Sequence, residues 1–515
     1  MPSTATDPSD GFDPRGPLHT PPVLLDEDGP VSVLIDPERV RWIGTNRAGR
    51  RLLDVVRDRP GVTGDALLEA DDRAGRRFLK DAHRRGFLGN APFRPVVRRN
   101  RRESIAPSRL HEFWVVTNDH CNLRCRHCYT IDRVVEGRTG LSGETLRAII
   151  ADAHALGTEV FYFTGGEPTL RDDFLDLARF VLERAKLILF TNGLTFDDAL
   201  AAALAPHRDR LAVQVSIEGP DEETSRPVRG KGSFEGALEG VRVALRHGLR
   251  VGVSTTPNGV SKATLHELTA QLAAMEEDGN RPDYHHLILL LDEGGAERHE
   301  DIRALSDADL DGVLDRSVAA IERGKAQLRG RGLVLTNEKI FKALATNGPA
   351  KDYCGSGYTI LGVSADGQLL PCAAAMDDPR FFLGALVDED GAYESGHLEE
   401  LWRESESVER IRRFSLAPAD AAPVRDLRYF HGGGCWKNMP EPGAEFATGH
   451  PFAAFYERRM LAAIRDAATK GGAPSEDGPR LVSFMHAARI ACAGARKTAP
   501  IGAGDVDQGY CICFA

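Results

Sequence analysis

Long apolar runs are absent from this chain of 515 residues, and its start lacks a basic segment followed by an apolar one. The first absence excludes a membrane-spanning helix, which needs about 20 consecutive apolar residues. The second gives no reason to predict a secretory signal peptide. We therefore expect a cytoplasmic protein that acts without a membrane partner.

Cysteine is scarce, and its distribution is uneven. The chain has nine cysteines, three of which fall between Cys121 and Cys128. A disulfide framework pairs its cysteines and occurs in secreted proteins, so an odd number with local crowding does not fit one. Closely spaced thiols are instead typical of metal ligation in a reducing compartment, and we expect a metal site here.

An excess of positive charge is also lacking, since the formal net charge is −11 at pH 7. This balance argues against a nucleic-acid partner, although an arginine cluster at 98–102 could still contact acidic groups. We interpret that cluster as a solvated linker. The length exceeds one ordinary core, so two or three domains are expected.

Composition and periodicity change along the chain. Residues 1–22 are rich in Pro, Ser, Asp and Gly, and we predict a disordered tail because they cannot bury enough apolar surface to offset ordering entropy. Residues 23–98 hold an apolar strand at 31–35 and helical patterns at 46–57 and 73–85. These patterns predict a small winged-helix-like domain, whose plainest role is a structural cap.

Residues 99–350 alternate strand-like and helical patterns. Six β-rich runs, FWVVT, EVFYF, KLILF, LAVQVSI, RVGVST and HLILL, are each followed by a polar turn and usually by an amphipathic stretch. Such alternation predicts an α/β fold with a parallel sheet, curled by right-handed crossovers into a partial (β/α)6 TIM-type barrel. The alternation stops in residues 351–515, which we predict to be a separate module with helices near 452–470 and 481–495.

The segment DHCNLRCRHCYT follows the first predicted barrel strand, at the strand end where barrel enzymes place their chemistry. Thiolates are the usual ligands of iron–sulfur clusters, and three of them would leave one iron of a four-iron cube open. We expect Cys121, Cys125 and Cys128 to be these ligands. A zinc site completed by His127 is the alternative.

The spacing Cys-x3-Cys-x2-Cys after a first strand resembles the signature of the radical S-adenosylmethionine (SAM) superfamily. The segment FTGGEPTL at the second strand resembles the family's GGEP motif, which holds the methionyl amino group. The resemblance implies a SAM-binding [4Fe-4S] cluster, S-adenosyl-L-methionine, and a 5′-deoxyadenosyl radical that abstracts hydrogen from carbon.

The same resemblance implies SAM-binding roles for seven residues. Glycine permits close backbone approach, a carboxylate can accept from an ammonium group, and arginine can meet a carboxylate with two donors. For the arginine, the plain alternative is a surface residue paired with a nearby glutamate. The implied residues are Gly165, Gly166, Glu167 and Pro168 for the amino group, Ser216 for the ribose side, Arg229 for the carboxylate and His127 beside the adenine.

The C-terminal cysteines carry a second resemblance. In CGSGYTILGVSADGQLLPC, the Asp-Gly pair between two β-prone runs predicts a hairpin that brings Cys354 and Cys372 together. The Cys-x12-Gly-x4-Cys pattern that this run contains resembles the opening of a SPASM or Twitch extension, which implies at least one auxiliary iron–sulfur cluster with Cys435 as a later ligand. Val424 and Leu427 stand where the family has cysteines, so this chain departs from a full two-cluster set.

The remaining cysteines have several possible roles. Cys492, Cys511 or Cys513 could supply a fourth ligand to the auxiliary cluster, or that cluster could keep an open iron for a substrate thiol. Cys511 and Cys513 could instead be catalytic hydrogen-atom donors, as peptide epimerisation requires, or lie in a frayed terminus. The residues alone do not separate these roles.

The run from VLIDPERVRWIGTNRAGRRLLDVV to RRFLKDAHRRGFL resembles the peptide-chaperone family of pyrroloquinoline quinone biosynthesis. Such domains are recognition elements for ribosomally made, modified peptides (RiPPs), and a leader peptide would add as a strand to the sheet edge. The resemblance implies a precursor peptide with a leader as partner and a flavodoxin- or ferredoxin-type electron donor.

We therefore expect a radical SAM peptide maturase that forms an oxidative crosslink, either a thioether or a carbon–carbon bond. The alternatives are peptide epimerisation and modification of a small molecule in cofactor or tetrapyrrole biosynthesis. A non-catalytic iron–sulfur or zinc binding protein is the remaining alternative.

Overall fold

A computed structural model of the chain describes residues 12–26, 31–39, 41–94, 109–136, 140–327, 334–336, 355–376, 378–412, 453–470 and 481–482. Within these ranges, no helix is both long enough and apolar enough to cross a bilayer.

The N-terminal unit is a small sheet packed on helices. Asn46 caps the first long helix by accepting a hydrogen bond from the Gly49 amide at 3.0 Å, and Asp72 caps the second through Gly75 at 2.7 Å. Both helices lie within one residue of their predicted bounds. The elements are β1 (Pro17–Leu18), β2 (Leu24–Asp26), β3 (Ser32–Asp36), β4 (Arg41–Thr45), α1 (Arg47–Asp58), β5 (Val62–Thr63), α2 (Gly64–Leu67) and α3 (Arg73–Arg84).

Residues 12–22 differ from the predicted disordered tail. Strand β1 pairs antiparallel with β5, and the Leu18 side chain is fully buried in the N-terminal core. The Asn90 amide donates to the backbone carbonyls of Asp13 and Pro17 at 2.8 and 2.9 Å. A polar average composition concealed the apolar side chains of Leu18 and Phe12, which pack in the N-terminal core.

The central sheet contains all six predicted strands, and they pair in parallel in chain order. A seventh parallel strand, which the sequence did not indicate, follows the sixth. The sheet is open in the part of the chain that the structure describes. The strands are β6 (Glu112–Val116), β7 (Val160–Thr164), β8 (Lys186–Thr191), β9 (Leu211–Ser216), β10 (Arg250–Thr255), β11 (Tyr284–Leu287) and β12 (Val334–Thr336).

Helices connect these strands and cover the sheet, which explains why the strands are apolar almost throughout. Inside the curve, Trp114 stacks on Tyr162 with ring centroids 3.9 Å apart, and Tyr162 stacks on Phe190 at 6.2 Å. The helices are α4 (Ile131–Glu136), α5 (Gly143–Ala155), α6 (Phe174–Leu182), α7 (Asp198–Leu204), α8 (Glu222–Arg229), α9 (Ser233–Arg246), α10 (Leu265–Ala274) and α11 (Asp307–Gln327).

The predicted C-terminal hairpin is present, but it continues the central sheet. Its turn contains Gly367 at φ +83°, a conformation that suits glycine. Its first strand pairs in parallel with β6, so ten of the described strands form this sheet. The free edge of β6 offered backbone hydrogen bonds that no sequence pattern could reveal. The elements are β13 (Ile360–Val363), β14 (Gln368–Leu370), β15 (Gly384–Ala385), α12 (His397–Glu404) and α13 (Glu406–Arg412).

Two further elements return to the N-terminal unit. Helix α14 (Ala453–Lys470) confirms the predicted helix near 452–470. The prediction of a helix over 481–495 is wrong at residues 481–482, because β16 (Leu481–Val482) pairs antiparallel with β4. Residues 483–495 lie outside the described residues. Apolar periodicity over a short segment does not reveal that a sheet edge is available to it.

Gly252 on β10 faces Tyr284 on β11, and a methyl group at this position would overlap the tyrosine ring. We predict that Gly252→Ala lowers the free energy of unfolding by about 1–3 kcal/mol, because overpacking a rigid core displaces the ring. Urea denaturation measures the change. Gly312→Ala is the matched control, since its methyl would lie 3.1 Å from the flexible end of Arg316. Equal stability of the two variants would contradict the prediction.

Candidate active site

The cluster loop, residues 117–130, follows β6 and carries Cys121, Cys125 and Cys128, all partly buried. Neighbouring elements fix its path. The Arg126 amide donates to Val228 in α8 at 2.8 Å, and the Gly295 amide donates to the Cys128 carbonyl at 2.9 Å. The loop is therefore held from two sides at the carboxyl ends of the strands.

Burial and a neighbouring positive charge act in opposite directions on the thiols. Burial raises the pKa of Cys125 to about 12, although the Arg229 guanidinium, with Nη1 3.8 Å from the sulfur, favours the thiolate. Burial also raises the pKa of Cys121, whose sulfur accepts from the Leu123 amide at 3.4 Å. Iron binds thiolates, and the positive charge beside Cys125 would offset part of their negative charge.

No three His, Cys, Asp or Glu side chains of the described residues converge on one metal ion. A four-iron cube takes one thiolate at each of three irons, so it does not require such convergence. Three cysteines on one braced loop, next to a buried arginine, therefore fit an iron–sulfur cluster.

A buried charge group lies against the cluster loop. Glu218 Oε1 accepts from Arg229 at 2.7 Å through Nη2 and at 3.0 Å through Nε, and it lies 3.2 Å from His127 Nε2. Its other oxygen accepts from the Thr256 amide at 2.7 Å. Burial opposes ionisation of Glu218, but Arg229 and His127 overcome it and lower the pKa of this carboxyl to about 2.

Arg229 is consequently largely buried, with 12% of its side chain exposed, and is not the surface arginine of the plain alternative. Its Nε and Nη2 are bonded to Glu218, and Nη1 lies beside Cys125. A guanidinium has five N–H donors, so the two-donor contact with a ligand carboxylate stays a prediction.

The GGEP segment packs directly on the cluster loop. A side chain on Gly165 would overlap the carbonyl of Asn118, and one on Gly166 would overlap that of His120. The Gly166 and Glu167 amides donate to these same two carbonyls at 2.8 and 2.7 Å. The glycines are thus needed for contact between two loops of the chain.

Both oxygens of the Glu167 carboxylate accept hydrogen bonds inside the protein. Its Oε1 accepts from the hydroxyls of Thr169 at 2.6 Å and Thr191 at 2.8 Å, and Oε2 accepts from the Asn192 amide at 2.7 Å. Burial raises the pKa of Glu167, against these hydrogen bonds. Pro168 starts the short 3-10 helix Pro168–Leu170 that presents one of the threonines.

The other predicted SAM contacts lie at the same edge of the sheet. Ser216 is the last residue of β9, and its hydroxyl is 3.4 Å from that of Ser254 on β10. His127 is nearly buried, and its Nδ1 has no hydrogen-bond partner among the described residues. The structure therefore brings together the cysteine triad, the GGEP segment, Ser216, Arg229 and His127.

Sequence reasoning missed three residues of this site. Glu218 follows β9 and Asn192 follows β8, so the position of a polar residue just after a parallel strand was the available signal. The Asn192 side-chain amide donates to Asn122 in the cluster loop at 2.7 Å. Arg133 in α4 had no sequence signal, because its partner Asp366 is 233 residues away in the chain.

Arg133 connects the cluster loop to the C-terminal hairpin. Its Nη2 lies 3.2 Å from Asp119 Oδ2 and 3.0 Å from Asp366 Oδ1. Cys372 is buried just beyond this hairpin and precedes a 3-10 helix at 373–375, where the Ala373 carbonyl accepts from the Tyr129 hydroxyl at 3.4 Å. The structure thus packs the turn that follows Cys372 against the residue that follows Cys128. The other candidate cysteines, Cys354, Cys435, Cys492, Cys511 and Cys513, lie outside the described residues.

Residues 115–272, which contain the cluster loop and the residues around it, match the Radical SAM superfamily. The match shows a Radical SAM domain in this chain.

Comparison with known proteins shows two kinds of relative. The chain is 31% identical over 214 residues to Fe-coproporphyrin III synthase of Methanosarcina barkeri, an alignment that covers 39% of this chain and 52% of that protein. The chain therefore spans about half the length of that relative. This chain is 26% identical over 350 residues to mycofactocin maturase MftC of Mycolicibacterium smegmatis, and the alignment covers 64% of this chain and 78% of MftC.

Among solved structures, the chain is similar to Streptococcus suis SuiB bound to its precursor peptide SuiA. The TM-score is 0.53 at 15% sequence identity, and the alignment covers 83% of this chain and 98% of SuiB. At this identity the likeness establishes a shared fold.

The Glu218–Arg229 pair yields a stability prediction. Glu218→Gln keeps the shape of the side chain but leaves the buried guanidinium without its counter-charge, so we expect a loss of about 3–5 kcal/mol in the free energy of unfolding. Thermal and urea unfolding measure it. Glu223→Gln, on the exposed side of α8, is the control and should leave the unfolding midpoint unchanged. A Glu218 variant as stable as the control would show that the pair is not formed.

Proposed function

We propose that this radical SAM enzyme modifies a ribosomally made precursor peptide, most directly by an oxidative crosslink. Radical SAM chemistry is supported by one observation. Three loop cysteines, the GGEP segment and Arg229 lie together at one edge of the sheet. The peptide part is supported by similarity to a protein named a maturase and by a fold shared with SuiB.

In this proposal Cys121, Cys125 and Cys128 hold the [4Fe-4S] cluster. Backbone groups of Gly165, Gly166, Glu167 and Pro168 face the methionyl amino group, while the Glu167 carboxylate keeps the turn rigid because its bonds are internal. Arg229 Nη1 meets the methionyl carboxylate, Ser216 meets the ribose, and His127 offers its buried Nδ1 near the adenine.

When bound, SAM and the reduced cluster supply a radical that takes a hydrogen atom from an unactivated carbon. The chain itself orients the ligands and excludes water. The braced path of the cluster loop serves both tasks, since Arg126 and Gly295 hold it in place before any ligand binds. An electron donor of the flavodoxin or ferredoxin type completes the proposed scheme.

The N-terminal unit is proposed to bind the leader of the precursor, and an auxiliary iron–sulfur cluster is proposed to accept the electron that oxidative crosslinking releases. Cys372 is suited to ligate it, because its segment packs against α4 directly behind the cluster loop. Its further ligands would come from Cys354, Cys435 and one of Cys492, Cys511 and Cys513.

A second candidate function is modification of a small molecule, and the similarity to Fe-coproporphyrin III synthase favours it. Such an enzyme would have no use for a peptide-binding N-terminal unit. Epimerisation of a peptide is the third candidate, in which Cys511 or Cys513 would donate a hydrogen atom to the substrate carbon.

The radical chemistry is tested by reconstituting iron and sulfide anaerobically, adding a strong reductant and SAM, and measuring 5′-deoxyadenosine. We expect product from the wild type and none from Cys125→Ala, because two thiolates do not hold the cluster in its SAM-binding form. Cys372→Ala is the control and should still cleave SAM. A wild type that retains zinc and yields no product would refute the proposal.

The peptide reaction is tested with a synthetic precursor encoded by a short reading frame near this gene. Crosslinking predicts a product lighter by the mass of two hydrogen atoms, whereas epimerisation in heavy water predicts the gain of one deuterium. We expect the first, and its loss in Cys372→Ala while SAM cleavage continues. Mass spectrometry distinguishes the outcomes, and an unmodified peptide with turnover of a tetrapyrrole would favour the second candidate.

A further inference from the structure

The four-stranded sheet of the N-terminal unit has the order β16-β4-β3-β2. Three of these strands come from the first 45 residues, but β16 comes from the far end of the chain. Leu481 lies opposite Thr45 and Val482 opposite Gly44, antiparallel. The edge of β4 is thus already paired, and its occupant is a segment of the same chain.

Helix α14 precedes β16 in the chain and packs on the same sheet. Its Ala468 is buried against Gly44, where an added methyl group would come within 2.8 Å of the alanine Cβ. At its other end, Arg458 bonds to Asp307 and Asp311 of α11 at 2.9 and 3.1 Å. Ten residues, 471–480, then separate the helix from β16.

The backbone of strand β16 also lies close to α3. Pairing of this kind uses main-chain hydrogen bonds, which any extended peptide can make. The edge of β4 therefore accepts a strand, and a strand from outside needs the same backbone groups.

We propose that β16 is a resident competitor for the peptide-docking edge of β4, and that an extended substrate peptide binds by displacing it. This inference rests on the proposed peptide-binding role of the N-terminal unit. The partner is an extended segment with apolar, β-prone residues, because a Leu-Val pair occupies the edge in the free enzyme.

The expected weakening of peptide binding follows from the covalent connection between α14 and β16. A connection of ten residues would hold its strand at an effective concentration on the order of 1 mM. If the intrinsic Kd of the resident strand is about 0.1 mM, a free peptide would bind the intact enzyme roughly tenfold more weakly than an enzyme whose own strand is released.

The test uses the full-length chain and a fluorescent synthetic peptide of residues 476–489 as the probe. Leu481→Pro/Val482→Pro removes the amide donors of β16 and leaves α14 unchanged. We expect this variant to bind the probe at least tenfold more tightly than the wild type in fluorescence anisotropy. The control, Ala493→Pro/Ala495→Pro, should bind like the wild type.

A probe carrying prolines at positions 481 and 482 should bind none of the proteins. Equal probe affinity of the wild type and the strand variant would overturn the inference, and so would binding by neither. SAM cleavage is measured on the same samples and should be equal in all of them. Cleavage without the affinity difference would refute this inference and leave the radical chemistry standing, whereas loss of cleavage in the wild type would refute the proposed function.

Discussion

The buried ion pair between Arg229 and Glu218 is the interaction on which the site depends. It joins the end of α8 to the segment after β9, and Glu218 reaches the next strand through the Thr256 amide. On the other side the guanidinium lies 3.8 Å from the Cys125 sulfur. A buried charge is tolerated only when it is paired, so positioning positive charge beside the cysteines required a carboxylate in this place.

The GGEP segment is constrained by the chain as much as by any ligand. Gly165 and Gly166 allow two loops to touch, and the Glu167 carboxylate is bonded to Thr169, Thr191 and Asn192. These contacts connect the ends of β6, β7 and β8. A single change in the segment would therefore disturb the cluster loop even though the cysteines remain.

Two late segments of the chain complete sheets that early segments begin. Strand β13 pairs with β6, and β16 pairs with β4. Both cover strand edges that would otherwise present unpaired backbone groups. The first brings the segment of Cys372 close to the cluster loop through Arg133, and the second brings the C-terminal region to the N-terminal unit. The site and the N-terminal sheet thus depend on contacts that span most of the chain.

The sequence by itself determined the six parallel strands, the helices α1, α3 and α14, the hairpin turn at Gly367 and the cysteine triad with its GGEP partner. Each of these is a local pattern: apolar runs, a cap, a turn pair, or ligands on one loop. Only the tertiary structure decided that Glu218 pairs with Arg229, that Arg133 bridges Asp119 and Asp366, and that Leu481 joins β4 as a strand. Arg133 and Asp366, like Leu481 and Thr45, are far apart in the chain, and Glu218 meets Arg229 across 11 residues that run from the end of a strand to the end of a helix. Such pairing is chosen by the available edges and by buried charge, and no local pattern encodes either.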